Sequence, residues 1–315
     1  MKHFDFCPTP VNVLPYFSQK LGCNILCKRD DLFAEAGGGS KARMLQYILA
    51  DINHQNCDVL VTAGGPCSNF NRACSLMCAK LGIPMHLIEY TDNPDEWNSL
   101  NYYICQLAGI ISTRCEKSTV PQTIKTVMDS YASFGKRAKN VYGGGKSLEG
   151  IYAYYEAVNE LSQQVSKLDY IFLACGTGTT LTGVCAGVQH FFPKVKVFAI
   201  STARTYEQER SVLDENMQIL NSYLNTDYDF ENLLFSDKYL SGGYALYSDE
   251  LFETVKECIS HEGMIVDPTY SGKAFWGMVN EITTCYSKYR GKNVLFWNTG
   301  GIMNLLSTKN DYKVK

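Results

Sequence analysis

No apolar run in the chain is long enough to span a bilayer, which excludes a membrane-crossing helix. No long basic run occurs either. With 29 Lys and Arg against 32 Asp and Glu, the formal charge is -3, so a nucleic-acid partner has no electrostatic support. The N-terminus, MKHFDFCPTPVNVLPYF, has charges and prolines where a secretory signal would have an unbroken apolar core. A cytoplasmic protein is expected. There is no C-x-x-C pair, although the chain has 13 cysteines. Several lie in apolar segments (Cys74, Cys78, Cys175, Cys185), where a free thiol behaves as a small hydrophobe in a reducing compartment. Cys74 and Cys78 share one face of an expected helix and His86 is the nearest histidine, but that is too thin a ligand set, so no metal is expected. Internal repeats, low-complexity tracts and linkers are also missing.

What is present is alternation. NILCKRD reads as a strand, SKARMLQYILADINHQ as a helix, CDVLVTAG as a strand, SNFNRACSLMCAKLG as a helix and PMHLIEY as a strand. Past a less legible middle come SLEGIYAYYEAVNELSQQV as helix, YIFLACG as strand, TLTGVCAGVQHFF as helix and VKVFAIS as strand. GMIVD reads as a strand, SGKAFWGMVNEITTCYSKY as a helix and KNVLFWNTG as a strand. Short apolar strands separated by helices imply an α/β protein with parallel sheets covered on both faces.

Ligands of such sheets bind beyond the carboxyl ends of strands. Four loops there are chemically unusual: GGGSK (37–41), AGGPCSNFN (63–71), CGTGTTLTG (175–183) and NTGG (298–301). In CGTGTTLTG an apolar strand runs into Gly176, Thr177 and Gly178, then Thr179, Thr180 and a helix. Glycines let backbone N–H groups converge on an anion, hydroxyls add donors and the helix dipole adds charge. A tight turn with N-capping threonines would use the same residues. No lysine follows the last glycine, so this is not a P-loop, and GGGKS at 143–147 lacks a P-loop's first glycine. In AEAGGGSKARML the glycines deliver Lys41 to a helix start, where the dipole disfavours an ammonium and favours a neutral, nucleophilic amine. The alternative is a surface lysine after a flexible loop. A phosphate cradle, one such lysine and no metal set point to pyridoxal 5'-phosphate, which has one phosphate and needs one amine. The glycines of 37–39 would let its flat ring lie against the backbone.

These residues resemble the fold-type-II pyridoxal-phosphate enzymes, specifically the group of D-cysteine desulfhydrase and 1-aminocyclopropane-1-carboxylate deaminase. The similarity runs in order through CPTPVNVLPYFSQKLGCNILCKRDDL, GGGSKARMLQ, AGGPCSNFNRA, GGYALYSDE, DPTYSGKAF and NTGG. It implies the tryptophan synthase β-like fold of two three-layer parallel-sheet domains. A large cofactor-binding domain would comprise residues 1–49 and 158–315, and a smaller inserted one residues 50–157, with the site between them and a homodimer as the assembly.

The resemblance also implies roles. Lys41 would be the Schiff-base lysine and proton shuttle, and Lys28, Lys146 and Lys273 match non-catalytic positions or lack its context. Asn69 would meet the ring hydroxyl, and Ser68 the substrate carboxylate or a transferring proton. Gly176, Thr177, Gly178, Thr179 and Thr180 would hold the phosphate. Tyr270 would stand beside the ring, Tyr244 would face the substrate and Thr299 would line the ring-nitrogen end. Four positions depart from the group: Ser271 stands where the deaminases have glutamate, Phe70 where Gln or His is common, Ser40 in place of Asn, and Met44 in place of a basic residue. The GTGTTLTG loop is closer to that of cysteine synthases. A neutral Ser271 hydroxyl at the ring nitrogen would make a weaker electron sink than a carboxylate. That suits α,β-elimination from D-cysteine or a related β-substituted amino acid, giving pyruvate and ammonia. β-Replacement and cyclopropane deamination are the alternatives.

Overall fold

In the computed structural model, which describes residues 1–54 and 57–308, the apolar runs pair into two separate sheets. The strands are β1 (Val11–Val13), β2 (Asn24–Arg29), β3 (Val59–Gly64), β4 (Met85–Glu89), β5 (Ile111–Arg114), β6 (Ala138–Asn140), β7 (Tyr170–Cys175), β8 (Lys196–Ser201), β9 (Leu233–Ser236) and β10 (Asn293–Asn298). The helices are α1 (Pro15–Leu21), α2 (Ser40–His54), α3 (Asn69–Leu81), α4 (Leu100–Leu107), α5 (Val120–Ser133), α6 (Leu148–Ser162), α7 (Thr179–Phe191), α8 (Tyr206–Leu224), α9 (Asp249–Glu262), α10 (Ser271–Thr284), α11 (Tyr286–Tyr289) and α12 (Ile302–Ser307).

The larger sheet has the order β1-β2-β10-β7-β8-β9, and only β1 is antiparallel to its neighbour. The smaller sheet, β5-β4-β3-β6, is parallel throughout. Central strands β7 and β10 are buried along nearly their whole length, as parallel strands covered on both faces must be. On one face of the larger sheet, Phe17, Phe172, Phe275, Met278 and Phe296 form a core with α1, α9 and α10. On the other, Tyr154, Val184, Leu173 and Leu295 join a core that continues through α2 and α3 to Leu60 and Leu87 of the smaller sheet. Helices α6 and α7 pack at backbone distance there. A Cβ on Gly183 would lie 2.2 Å from the Ile151 carbonyl oxygen, and one on Gly187 2.7 Å from Val158 Cβ.

Residues 50–157 contain all four strands of the smaller sheet, while the expected boundaries themselves fall inside α2 and α6. Gln55, the last residue of the helix expected over SKARMLQYILADINHQ, and residues 309–315 of the expected large domain lie outside the described residues.

The expected strand GMIVD does not form. Its groups are satisfied by side chains instead: Asn298 Nδ2 donates to the Ile265 carbonyl at 3.0 Å, and Asp267 N–H donates to Ser271 Oγ at 2.9 Å. The helix expected over SGKAFWGMVNEITTCYSKY divides at Cys285 into α10 and α11. β1, β9, α8 and α9 had no clear counterpart in the apolar pattern.

Candidate active site

Lys41 is positioned by the backbone on both sides of it. Gly37, Gly38 and Gly39 have φ of 74°, 75° and 91°. A Cβ on Gly38 would lie 2.3 Å from the Asp31 carbonyl oxygen, and one on Gly39 2.9 Å from that of Thr299. Gly38 and Gly39 therefore thread the chain between two backbone segments while also lining the cavity. Ser40 N–H donates to the Thr299 carbonyl at 2.9 Å. One turn of α2 is anchored by Arg43, which donates to Asp30 at 2.7 Å and to Glu160 at 2.8 Å. Tyr154 and Trp297 also donate to Asp30, and Lys28 pairs with Glu160, which removes Lys28 from the cofactor candidates. The Lys41 amine is half-buried and donates to the neutral Gly144 carbonyl at 3.0 Å. Burial, with no acidic partner, lowers its pKa to about 8.

The loop after β7 ends on Gly178, with φ 75°, which caps α7. The first N–H groups of α7 have no partners within the helix and carry its positive dipole end. A Cβ on Gly178 would lie 2.8 Å from Glu209 Oε1 and 3.0 Å from Leu213 Cδ2, so a side chain here would meet α8.

Ser68 caps α3, its hydroxyl accepting from Asn71 N–H at 3.2 Å, and Asn69 Oδ1 accepts from Asn101 Nδ2 at 3.2 Å. Across the site the hydroxyls of Tyr244 and Tyr270 lie 2.5 Å apart. Burial pushes the Tyr244 phenol up to about 12; burial, then Tyr244, raises that of Tyr270 as well. The loop carrying Tyr244 is held by Lys273, whose amine donates to the carbonyls of Leu240 at 2.7 Å and Gly243 at 2.6 Å.

Lys41, Ser68, Asn69, Gly176, Thr177, Gly178, Thr180, Tyr244, Tyr270 and Thr299 all line one cavity of about 980 Å³. Two expected residues do not. Thr179 is fully buried, with its Cγ2 directed to Gly150, where a Cβ would meet it at 3.2 Å. Ser271 is fully buried behind the wall. Its hydroxyl lies 2.7 Å from Asp267 Oδ1 and 2.9 Å from the Gly300 carbonyl, both acceptors, and receives the Asp267 N–H. Asp267 in turn accepts the N–H groups of Thr269, Tyr270 and Ser271 and so caps α10. Ser271 therefore belongs to a helix cap, and of the two hydroxyls expected at the ring-nitrogen end only that of Thr299 lines the cavity. Lys146 lines it too but pairs with Glu215 at 2.8 Å. Two departures meet at Gly145, where a Cβ would lie 2.9 Å from Met44 Sδ and 3.4 Å from Phe70 Cε2. They are complementary apolar packing over one turn.

The segment after β4, including Tyr90, Asp92 and Glu96, also lines the cavity and was missed in the sequence. Its place at the carboxyl end of a parallel strand was the available signal. Among the described residues no group of three or more His, Cys, Asp or Glu could hold a metal, and no helix is long and apolar enough to cross a membrane.

A model of the family described as pyridoxal-phosphate dependent enzyme matches residues 4–300. The chain belongs to that family. A crystal structure of an ACC deaminase homologue superposes with a TM-score of 0.89 at 27% identity, over 99% of this chain and 95% of that one. Serine racemase from Dictyostelium discoideum gives 0.70 at 18% identity, covering 94% and 93% of the two chains. A fungal L-serine ammonia-lyase from Rhizomucor miehei gives 0.68 at 17%, covering 98% and 99%. The two latter likenesses show the fold, which is fold type II. The site also fits the family's cofactor on its own chemistry. It offers a helix start for a phosphate, a lysine amine of lowered pKa for an aldehyde, and space between them lined by the aromatic ring of Tyr270.

Proposed function

We propose that this pyridoxal-phosphate-dependent enzyme is a lyase that carries out α,β-elimination on D-cysteine or a related β-substituted amino acid. One observation carries the reading: a lysine amine with only a neutral partner, the glycine-capped start of α7 and a tyrosine pair line the same cavity. When bound, the cofactor supplies an aldehyde for an amine and a ring that draws electrons from the substrate α-carbon. Gly176, Thr177, Gly178, Thr180 and the Thr179 N–H would hold its phosphate, Asn69 its hydroxyl and Thr299 its nitrogen. The Lys41 amine would take the α-proton, Ser68 would touch the substrate carboxylate, and the Tyr244–Tyr270 pair would hold a proton near the departing β-group. Cysteine and water would give pyruvate, ammonia and hydrogen sulfide.

With Ser271 turned into the cap of α10, the preference for elimination over cyclopropane opening rests on Thr299, which lines the cavity and would present a neutral hydroxyl to the ring nitrogen. The acidic residues lining the cavity include Asp92 and Glu96 of the segment after β4, where Glu96 accepts from Thr91 at 2.6 Å. The GTGTTLTG loop at 176–183, similar to that of cysteine synthases, keeps β-replacement as the second reading. The reading includes a small inserted domain over 50–157, a homodimer, and a cytoplasmic site of action in keeping with 13 free thiols. The test is product analysis of the holoenzyme with D- and L-cysteine, serine and β-chloroalanine. Pyruvate from a D-substrate is expected. A thioether formed only with an added thiol would favour replacement, 2-oxobutyrate from aminocyclopropane carboxylate would favour deamination, and no product from any of them would overturn the reading.

A further inference from the structure

Arg72, in the first turn of α3, lines the same cavity and has none of the roles above. It is 3% exposed. Its Nη2 reaches one acceptor, the Gly38 carbonyl at a long 3.4 Å, and its Nε reaches none. No acidic side chain among the described residues forms an ion pair with it, whereas the other deeply buried cations of the network beneath Lys41 are paired, Arg43 with Asp30 and Glu160 and Lys28 with Glu160. Burial lowers the Arg72 pKa, yet a guanidinium stays charged at any physiological pH. A buried, unpaired charge is costly; Lys273 meets that cost with two carbonyls, whereas Arg72 has one long contact, which an anionic ligand would complete. The side chains adjacent to it in sequence turn elsewhere: Phe70 packs toward Gly145, and the Asn71 amide donates to the Gly65 carbonyl at 3.3 Å. With the phosphate proposed at α7, the remaining anion of an amino-acid reaction is the carboxylate already given to Ser68, one turn earlier at the cap of α3, and a guanidinium can add two parallel N–H groups to that hydroxyl.

We infer that Arg72 binds a carboxylate of the amino-acid substrate. The inference rests on the reading of this cavity as an amino-acid lyase site. Its test is a titration of the holoenzyme's cofactor absorbance, in wild type, Arg72→Gln and Arg72→Lys, with D- and L-alanine, alaninamide and aspartate. Alanine has no β-leaving group, so binding is read without turnover; alaninamide lacks the carboxylate. Arg72→Gln is expected to weaken alanine at least tenfold, leave alaninamide and cofactor affinity unchanged, and be partly restored by Arg72→Lys. Loss for alanine and aspartate alike assigns the guanidinium to the α-carboxylate; loss confined to aspartate assigns it to a side-chain carboxylate. Equal weakening of alanine and alaninamide, or of the cofactor, would overturn the inference. Should Arg72→Gln fail to fold, the alanine-to-alaninamide ratio in Arg72→Lys decides in the same way. If the wild-type spectrum responds to alaninamide but to no carboxylate ligand, Arg72 alone is misassigned; if it responds to no amino compound, the lyase reading falls as well.

Discussion

An amine held in a half-buried site without a carboxylate gives up its proton early, and Lys41, lowered to about 8 by burial, does so. The direction fixes a pH dependence. Below about 8 the ammonium predominates and cannot attack an aldehyde; above it the amine is neutral. The rate of cofactor incorporation into the stripped protein should rise about tenfold per pH unit below that pKa and flatten above it. A profile flat from pH 6 to 9, followed by stopped-flow absorbance, would place the reacting amine elsewhere. Lys41→Ala should fold, lose the borohydride-reducible adduct and lose turnover. Ser271 behaves as a cap, and its variants should behave accordingly. Ser271→Ala removes the acceptor of the Asp267 N–H and the one proton that Asp267 Oδ1 and the Gly300 carbonyl compete for, at a cost of about 1–3 kcal/mol in denaturant unfolding, with the cofactor spectrum unchanged. Ser271→Glu would set a second carboxylate against fully buried Asp267 and should unfold the α10 start. A folded Ser271→Glu protein with an altered cofactor spectrum would return this residue to the ring.

At the scale of elements, α7, whose start is the proposed phosphate site, lies on α6 only because two glycines allow it. A Cβ on Gly187 would lie 2.7 Å from Val158 Cβ and 2.9 Å from its Cγ2, and a β-branched neighbour in a helix has one strongly preferred rotamer. Alanine gains about 1 kcal/mol of helix propensity, but overpacking costs about 1–3 kcal/mol, so Gly187→Ala should be destabilising on balance. Thermal unfolding should show a lower Tm, and the shifted α7 should bind the cofactor more weakly. A Tm at or above wild type would mean that α6 and α7 separate freely. α2, α3, α6, α7 and strands β3, β4 and β7 were legible because each carries its own apolar period or bounding signals, whereas β5 and β6 fall in the less legible middle. GMIVD was not, because its hydrogen bonds go to Ser271 and Asn298, partners that no local pattern announces. The same limit holds in the loops. That Lys41 and Thr180 face one cavity follows from helix starts at strand ends, but the directions of Thr179 and Ser271 depend on Gly150 and Asp267 as packed.

For the whole molecule the cavity is the place where the two sheets' loops converge. Its lining comes from α3 and the segment after β4 on one side, and from the loops after β7 and β10 on the other, above a core continuous between the sheets. A ligand seated there touches both halves of the chain and none of these surfaces in the unfolded state, so it must stabilise the fold as a whole by mass action. At a cofactor concentration 100 times its Kd, the gain is about 2.7 kcal/mol. At about 2–4 °C per kcal/mol for a chain somewhat smaller than this one, stripping the cofactor should lower Tm by about 5–10 °C. Calorimetry across a series of cofactor concentrations measures this, and Tm should climb with the logarithm of concentration. Pyridoxal, which lacks the phosphate, should give a clearly smaller shift, since it leaves the α7 start without its anion. Lys41→Ala should keep a reduced shift, because the phosphate contacts survive loss of the covalent link. A protein whose Tm ignores pyridoxal phosphate, or rises equally with pyridoxal, would show that the loop at 176–180 is a structural turn and not the cofactor's anchor.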